Sequence, residues 1–371
     1  MSLDLPDFPW DLLAPFAEKA REHVDGVVDL SVGSPVDETP ALIRAALAAA
    51  TDAHSYPQTA GTPLLREAIV AWYARRRGAD DLSVANVLPT IGSKELITLL
   101  PLMLGLGRGD VVVQPSIAYP SYAIGAALVG ATVVSTDDPA EWPAETKLAW
   151  VNTPGNPDGR VLTVSELQAA VARARELDAI VVSDECYAEF GWDASPVSIL
   201  DPRVIHGERN HVLSVYSLSK QSNLAGYRAG FVAGCSDLIG ELLEVRKHVG
   251  LIPPAPVQAA MVVALGDDEH VAEQRSRYAA RRAALAPALT AAGFRIDRSE
   301  AGLYLWVTRG EDAWATVSWF AGHGILVAPG SFYGDETHVR IALTATDDAV
   351  EAAVSRLGAS RDGASTVSAS Q

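Results

Sequence analysis

Between residues 86 and 235, short and nearly continuous apolar runs alternate with longer segments of helical period. The runs are VVVQP, TVVST, KLAWVN, AIVVSDE, HVLSVYS and AGFVAG, and SELQAAVARARELD typifies the segments between them. Strands this apolar are covered on both faces, and helices returning between them make successive strands parallel. The pattern therefore predicts an α/β fold with a large domain built on a mixed, mostly parallel sheet. Upstream lie the strand-like GVVDLSVG and the helix TPALIRAALAAA; downstream, an Arg- and Ala-rich helix near 268–292 precedes GFRIDRS, GLYLWVT, GILVAPG and HVRIALT. These last read as an α+β unit with antiparallel strands, and the two ends are expected to combine into one small domain. Residues 1–53 would supply an N-terminal arm and part of that small domain, 54–262 the large domain, and 263–356 the rest of the small one. Residues 357–371, dominated by Ser, Ala and Gly, read as a disordered tail.

A chain of 371 residues exceeds the usual ceiling for a single core, in keeping with two domains. The formal net charge is −17 and the bases are spread along the chain, which argues against a nucleic-acid or anionic-membrane surface. Any anion bound must be held by local groups. The stretch MSLDLPDFPWDLL carries acids where a secretion signal carries bases, and no apolar run reaches membrane-spanning length, so a soluble cytoplasmic protein is expected. Cys186 and Cys235 form no metal- or redox-type pair and read as buried thiols; the eight histidines show no ligand spacing, so no metal site is expected.

The chain has five lysines, Lys19, Lys94, Lys147, Lys220 and Lys247. A lysine that captures a carbonyl cofactor must sit at a fixed point by a pocket, best at the end of a sheet strand. Lys19 and Lys247 fall in amphipathic helices and Lys147 follows an acidic loop. Lys220 follows the run HVLSVYS, stands among Ser217, Ser219 and Ser222, and has Arg228 eight residues later.

This stretch resembles the lysine signature of the class I/II aminotransferases, the pyridoxal-phosphate enzymes similar to aspartate aminotransferase. Ser217, Leu218, Ser219, Lys220, Arg228 and Gly230 satisfy each of its positions. The resemblance implies that Lys220 holds pyridoxal 5'-phosphate covalently and, once displaced, moves the proton between substrate Cα and the cofactor. That task needs an amine with a depressed pKa. Ser217, Ser219 and Arg228 would hold the phosphate. Other stretches follow in order: TIGSKELITLL places Gly92, Ser93 and Lys94 where a strand meets a helix, with free N–H groups suited to a phosphate. VNTPGNPDGR resembles the family's N-x-P-x-N-P-x-G turn, whose second asparagine, Asn156 here, would hydrogen-bond the cofactor's phenolic oxygen. VVSDECYAEF puts Asp184 at a strand end to pair with the pyridine nitrogen, and Tyr187 would share the phenolic oxygen. In PSIAYPSY, Tyr119 would stack on the ring, the alternative being that Tyr119 and Tyr122 merely pack in the core.

For the substrate, the resemblance makes Arg340 of HVRIALT the bidentate partner of the α-carboxylate, with the Gly33 backbone of DLSVGSP beside it and Asn156 sharing in substrate binding. YPQTAGTPLLREAI carries Tyr56, whose counterpart in the family reaches the neighbouring subunit's phosphate, implying a homodimer with shared sites. Amino acids and 2-oxoacids are the expected small-molecule partners.

Within the family, FPWDLL, DGVVDLSVGSPVD, SLSKQSNLAGYRAGF and EVRKHVGLIPPAPVQAAM most resemble the actinobacterial N-succinyl-LL-diaminopimelate aminotransferases. The implied reaction exchanges N-succinyl-LL-diaminopimelate and 2-oxoglutarate with N-succinyl-2-amino-6-oxopimelate and glutamate, a step of lysine and diaminopimelate synthesis. Such a substrate asks for a cation or amide besides Arg340, for which Arg246, Lys247 and His248 are candidates. An aminotransferase for aspartate, an aromatic or a branched-chain amino acid, or a β-lyase, would share the same central residues. A cofactor-sensing regulator would need a DNA-binding module ahead of a pattern that already begins by residue 25.

Overall fold

The computed structural model describes Leu5 and residues 9–367, with side chains as far as residue 359. Its central element is a sheet of seven strands: β2 (Val87–Ile91), β3 (Val111–Gln114), β4 (Thr132–Ser135), β5 (Thr146–Asn152), β6 (Ile180–Asp184), β7 (Val212–Ser217) and β8 (Ala229–Gly234). A two-residue strand, β1 (Val28–Asp29), precedes them. The order is β2-β8-β7-β6-β5-β3-β4. Strands β4 to β7 and β3 run parallel, and β8 is antiparallel to both its neighbours. Alternate residues feed two different cores. Val112, Leu148, Trp150, Val182, Leu213 and Val232 pack under helices Gly92–Met103, Ser121–Val129 and Ser236–Val249. On the other face Val113, Ala149, Val151, Val181, Val212 and Phe231 join Trp72 and Tyr216 beneath helices Pro63–Trp72, Val164–Glu176 and Ala255–Gly266. The period of two along each strand is what commits it to both cores at once.

A second sheet is antiparallel, in the order β12-β13-β10-β9, from β9 (Arg295–Asp297), β10 (Tyr304–Thr308), β12 (Ala328–Pro329) and β13 (Val339–Ala342). β11 (Ile325–Leu326) pairs in parallel with β1. Leu303, Leu305, Val307, Ile341 and Leu343 bury one core with Tyr278, Leu285 and Phe320 from the helices Glu269–Ala291 and Ala313–Gly322.

The strand expected over GVVDLSVG is only two residues long. Beyond Leu30 the carbonyls of Ser31, Val32 and Gly33 accept from the side chains of Arg340, Thr344 and Lys220 instead of from a neighbouring strand. GILVAPG likewise divides into β11 and β12. The last helix runs Asp347–Val367, through most of the segment read as a disordered tail; the rest of that segment, like Phe8 of FPWDLL, lies outside the described residues. Among the described residues no helix is long and apolar enough to cross a membrane.

Candidate active site

A cavity of about 280 Å³ opens at the carboxyl ends of β5, β6 and β7, where the second sheet and the Ser31–Ser34 segment come down on the first. Ligands of open α/β sheets bind at this end of the strands. Its walls hold Gly33, Ser93, Lys94, Tyr119, Asn156 and Asp184, together with Tyr187, Ser217, Ser219, Lys220, Arg228 and Arg340. Twelve positions drawn from stretches scattered over three hundred residues thus meet in one place.

Each is positioned by its element. Ser217 ends β7 and caps the four-residue helix Leu218–Gln221, its Oγ accepting from the Ser219 N–H at 3.2 Å and donating to Ser219 Oγ at 2.8 Å. That cap turns Lys220 into the cavity, where its ammonium donates to the Gly33 carbonyl. Burial lowers the pKa of Lys220; Tyr304 opposes it, and the cations of Arg340 and Arg228 add to the lowering while Cys186 works against them.

Asp184 is the last residue of β6 and buried. Tyr122 Oη donates to its Oδ2 at 2.9 Å and the Cys186 N–H to its Oδ1 at 3.2 Å. Burial nevertheless raises its pKa, because these neutral donors, the Cys186 thiol included, do not replace the water lost by a carboxylate. A cation opposite it would reverse that. Tyr122 is itself stacked on Trp150, with ring centroids 4.9 Å apart.

At the far end, Gly92 opens the helix Gly92–Met103 with φ +69°, and a Cβ there would stand 2.9 Å from Cζ of Arg228. Glycine is required both by this left-handed backbone and by the guanidinium against it. Helix-terminal N–H groups and a guanidinium thus converge with no carboxylate paired to Arg228 among the described residues, the setting of an anion site.

Arg340, on β13, is only 3% exposed. Its Nη1 donates to Asn156 Oδ1 at 3.0 Å and its Nη2 to the Ser31 carbonyl at 2.6 Å, while Nε has no partner. Cζ lies 4.2 Å over the ring of Tyr304 and 5.0 Å from that of Tyr333. Neutral acceptors and π faces hold the cation, and no acid among the described residues pairs with it. Asn156 is itself held by its N–H to Asn152 Oδ1 at 2.8 Å. Tyr187 and Tyr304 share a hydroxyl contact of 3.0 Å, and burial raises the Tyr187 pKa, so it is a phenol, able to donate.

Two expected groups stand elsewhere. Gly92 backs the phosphate end without lining the cavity, and Tyr56 is 99% exposed in this subunit. Of the candidates for a distal carboxylate, Arg246 is fully buried and paired with Glu95 at 2.8 Å and 3.2 Å, and Lys247 pairs with Glu244. Neither they nor His248 line the cavity. Conversely, Trp10, Cys186 and Tyr304 line it without having been marked as site residues, and Tyr122 reaches it through Asp184. Cys186 is the buried thiol the composition suggested; burial and the adjacent Asp184 push its pKa up, so it remains a thiol. Its place two residues after Asp184, and that of Tyr122 three after Tyr119, were the available signals.

The sequence profile of the family described as aminotransferase class I and II matches residues 25–357. The chain belongs to the class I and II aminotransferases. Among relatives, it is 55% identical over 95% of its length, and 99% of the other's, to the 4-dedimethylamino-4-oxo-anhydrotetracycline transaminase OxyQ of Streptomyces rimosus. A probable aminotransferase of Mycobacterium tuberculosis is 56% identical, over 96% of this chain and 86% of that one. The LL-diaminopimelate aminotransferase of Aquifex aeolicus is 33% identical, over 91% and 92%. Among solved structures, a double mutant of Thermus thermophilus aspartate aminotransferase superposes with a TM-score of 0.85 at 27% identity, covering 96% of this chain and 97% of that one. The fold of this aminotransferase is thus the aspartate-aminotransferase type, and its cofactor is pyridoxal phosphate.

The residues present fit that group. The Gly92 and Arg228 end suits its phosphate, the buried Asp184 lacks only a cation such as a protonated ring nitrogen, and Lys220 offers an amine of lowered pKa between them. Bound there, the cofactor supplies a carbonyl for the amino group and a ring to take up the electron pair left when Cα is deprotonated. The protein's part is to hold an amino acid by its carboxylate, to move a proton at Cα and to keep the ring nitrogen charged.

Proposed function

We propose that this aminotransferase exchanges the amino group of glutamate with N-succinyl-2-amino-6-oxopimelate, the direction of diaminopimelate synthesis, or runs that exchange in reverse. The observation that carries the amino-acid chemistry is Arg340, a buried guanidinium with an open Nε and no acid partner, on the same cavity as Lys220. A substrate carboxylate is the charge it lacks. The choice of a succinylated diamine is supported by the stretches that resemble that subgroup and by the diaminopimelate aminotransferase among its relatives.

In this reading Lys220 carries the cofactor and moves the Cα proton, and Asp184 pairs with the ring nitrogen. Asn156 and Tyr187 donate to the phenolic oxygen, and Tyr119 stacks on the ring. Ser217, Ser219, Arg228 and the Gly92–Lys94 backbone hold the phosphate, and Gly33 borders the α-carboxylate. The chain works as a homodimer in which Tyr56, exposed in one subunit, reaches the partner's phosphate site. Mixing inactive Tyr56→Phe and Lys220→Ala chains would then restore activity in hybrid dimers; monomeric sedimentation would contradict it.

A second reading takes its support from OxyQ, whose name states a tetracyclic ketone as substrate. A single-turnover titration separates the two. Glutamate and N-succinyl-LL-diaminopimelate should each discharge the cofactor's visible band at low concentration, with aspartate, phenylalanine and leucine ineffective; discharge by one of the latter instead would overturn the diaminopimelate assignment.

A further inference from the structure

A second and larger cavity, of about 760 Å³, adjoins the first and shares Trp10, Val32, Lys94 and Tyr119 with it. Phe332, Pro120 and Ile124 make most of its surface apolar, and among the described residues no acid lines it. Two of its polar side chains carry an unmatched atom. Tyr333 is buried and its hydroxyl has no partner, and Gln114 donates through Nε2 to Ser135 Oγ at 3.1 Å while its buried Oε1 accepts from nothing. Among the described residues Lys94 is the one basic residue in the wall.

Leaving such groups buried and unmatched is costly, so a cavity walled by them is shaped for a ligand that pairs them. An open acceptor at Gln114 fits an N–H donor, the Tyr333 hydroxyl fits a carbonyl, and the Lys94 ammonium fits a carboxylate. The apolar wall between them fits methylene groups. We infer that this cavity is the subsite for the body of an elongated amino acid, with an amide at Gln114 and Tyr333 and a terminal carboxylate at Lys94. This rests on the transaminase reading above and names the distal-carboxylate ligand that Arg246 and Lys247 do not provide.

The test uses holoenzyme, the visible band, and three amino donors: glutamate, N-succinyl-LL-diaminopimelate, and the N-butyryl analogue that lacks the terminal carboxylate. Ala123→Trp and Ile124→Trp fill the cavity from residues outside the cofactor site. Each should raise the half-saturating concentration of the succinylated diamine about tenfold or more while glutamate changes by less than about threefold, which also shows that the variants fold. Wild type should prefer the succinyl over the butyryl compound by about tenfold or more, and Lys94→Met should bring the two to within about threefold. If both Trp variants treat long and short donors alike, or Lys94→Met keeps the succinyl preference, the subsite is overturned although transamination stands. If glutamate itself fails to discharge wild type, it is the transaminase reading that falls.

Discussion

The wall of the active site that carries Lys220 and the wall that carries Arg340 face each other across one cavity but are held differently. On the first, side chains sit at the ends of β6 and β7, strands in the middle of the seven-stranded sheet, and several of their contacts are local, although Asp184 also meets Tyr122 across 62 residues and Lys220 meets Gly33 across 187. Ser217 meets Ser219, and Asp184 meets the N–H of Cys186, each two residues away; Asn156 meets Asn152, four away. On the second, Arg340 is fixed by Ser31 at a separation of 309 residues and by Asn156 at 184, and Tyr304 meets Tyr187 across 117. That wall depends on the Ser31–Ser34 segment lying correctly, and the segment is pinned in turn. Arg281, buried, holds Asp37 through two bonds of 2.6 Å and 2.8 Å and Asp347 through one of 2.7 Å. The Lys220 wall thus rests more on chain-local geometry and the Arg340 wall more on distant packing, which is the kind of arrangement that substrate differences within a fold can draw on.

The contrast predicts graded effects. Lys220→Ala should abolish both covalent cofactor attachment and transamination, read by borohydride reduction and mass measurement; an attached cofactor would refute the assignment. Asp184→Asn should fold and bind cofactor yet lose roughly 10³-fold in turnover, since the charge that holds the ring nitrogen protonated is gone.

Asp184→Asn also has a consequence for the apoprotein. Burial raises the Asp184 pKa, so the folded chain binds that proton more tightly than the unfolded chain does. Its contribution is complete below the ordinary carboxylate pKa and is lost as pH rises through the raised value. As pH rises above about 4, urea midpoints of wild-type apoprotein should fall relative to those of Asp184→Asn until the raised pKa is passed. A constant difference would mean that Asp184 is not shifted by burial.

Arg340→Met should act mainly on KM, by about 10²-fold for amino acids, because it removes the cation proposed to hold the substrate carboxylate, with a smaller effect on the cofactor through the lost bond to Asn156. A loss confined to kcat would place Arg340 in the chemistry. Tyr122→Phe should be milder, about tenfold in turnover, and should raise the Asp184 pKa further by removing one of its donors. The smallest direct effect on catalysis is expected of Arg281→Met, which should cost about 3 kcal/mol of stability by leaving Asp37 unpaired, with amino-acid KM rising before cofactor affinity changes.

The apolar runs, turn motifs and lysine signature were enough to specify the mixed sheet, the antiparallel unit after it and the residues that meet on the Lys220 side of the cavity. Each of those depends on a strand period or on a stretch of at most a dozen positions. Arg340, Gly33 and Tyr56 were marked through resemblance, without any contact being readable. Trp10, Tyr304 and Tyr333 were not marked for the site, because an aromatic on an arm, strand or loop looks the same whether it packs a core or borders a cation. Arg246 illustrates the converse: its charge suggested a ligand, and only the folded chain shows Glu95 beside it. The sequence by itself determined the elements and the chemistry at the strand ends, since hydrophobic period and local hydrogen bonding act over a few residues. Which cations stay unpaired, which phenols face a cavity and how much room lies beyond Tyr119 were decided by tertiary structure alone, because burial and pairing are set by neighbours hundreds of residues away.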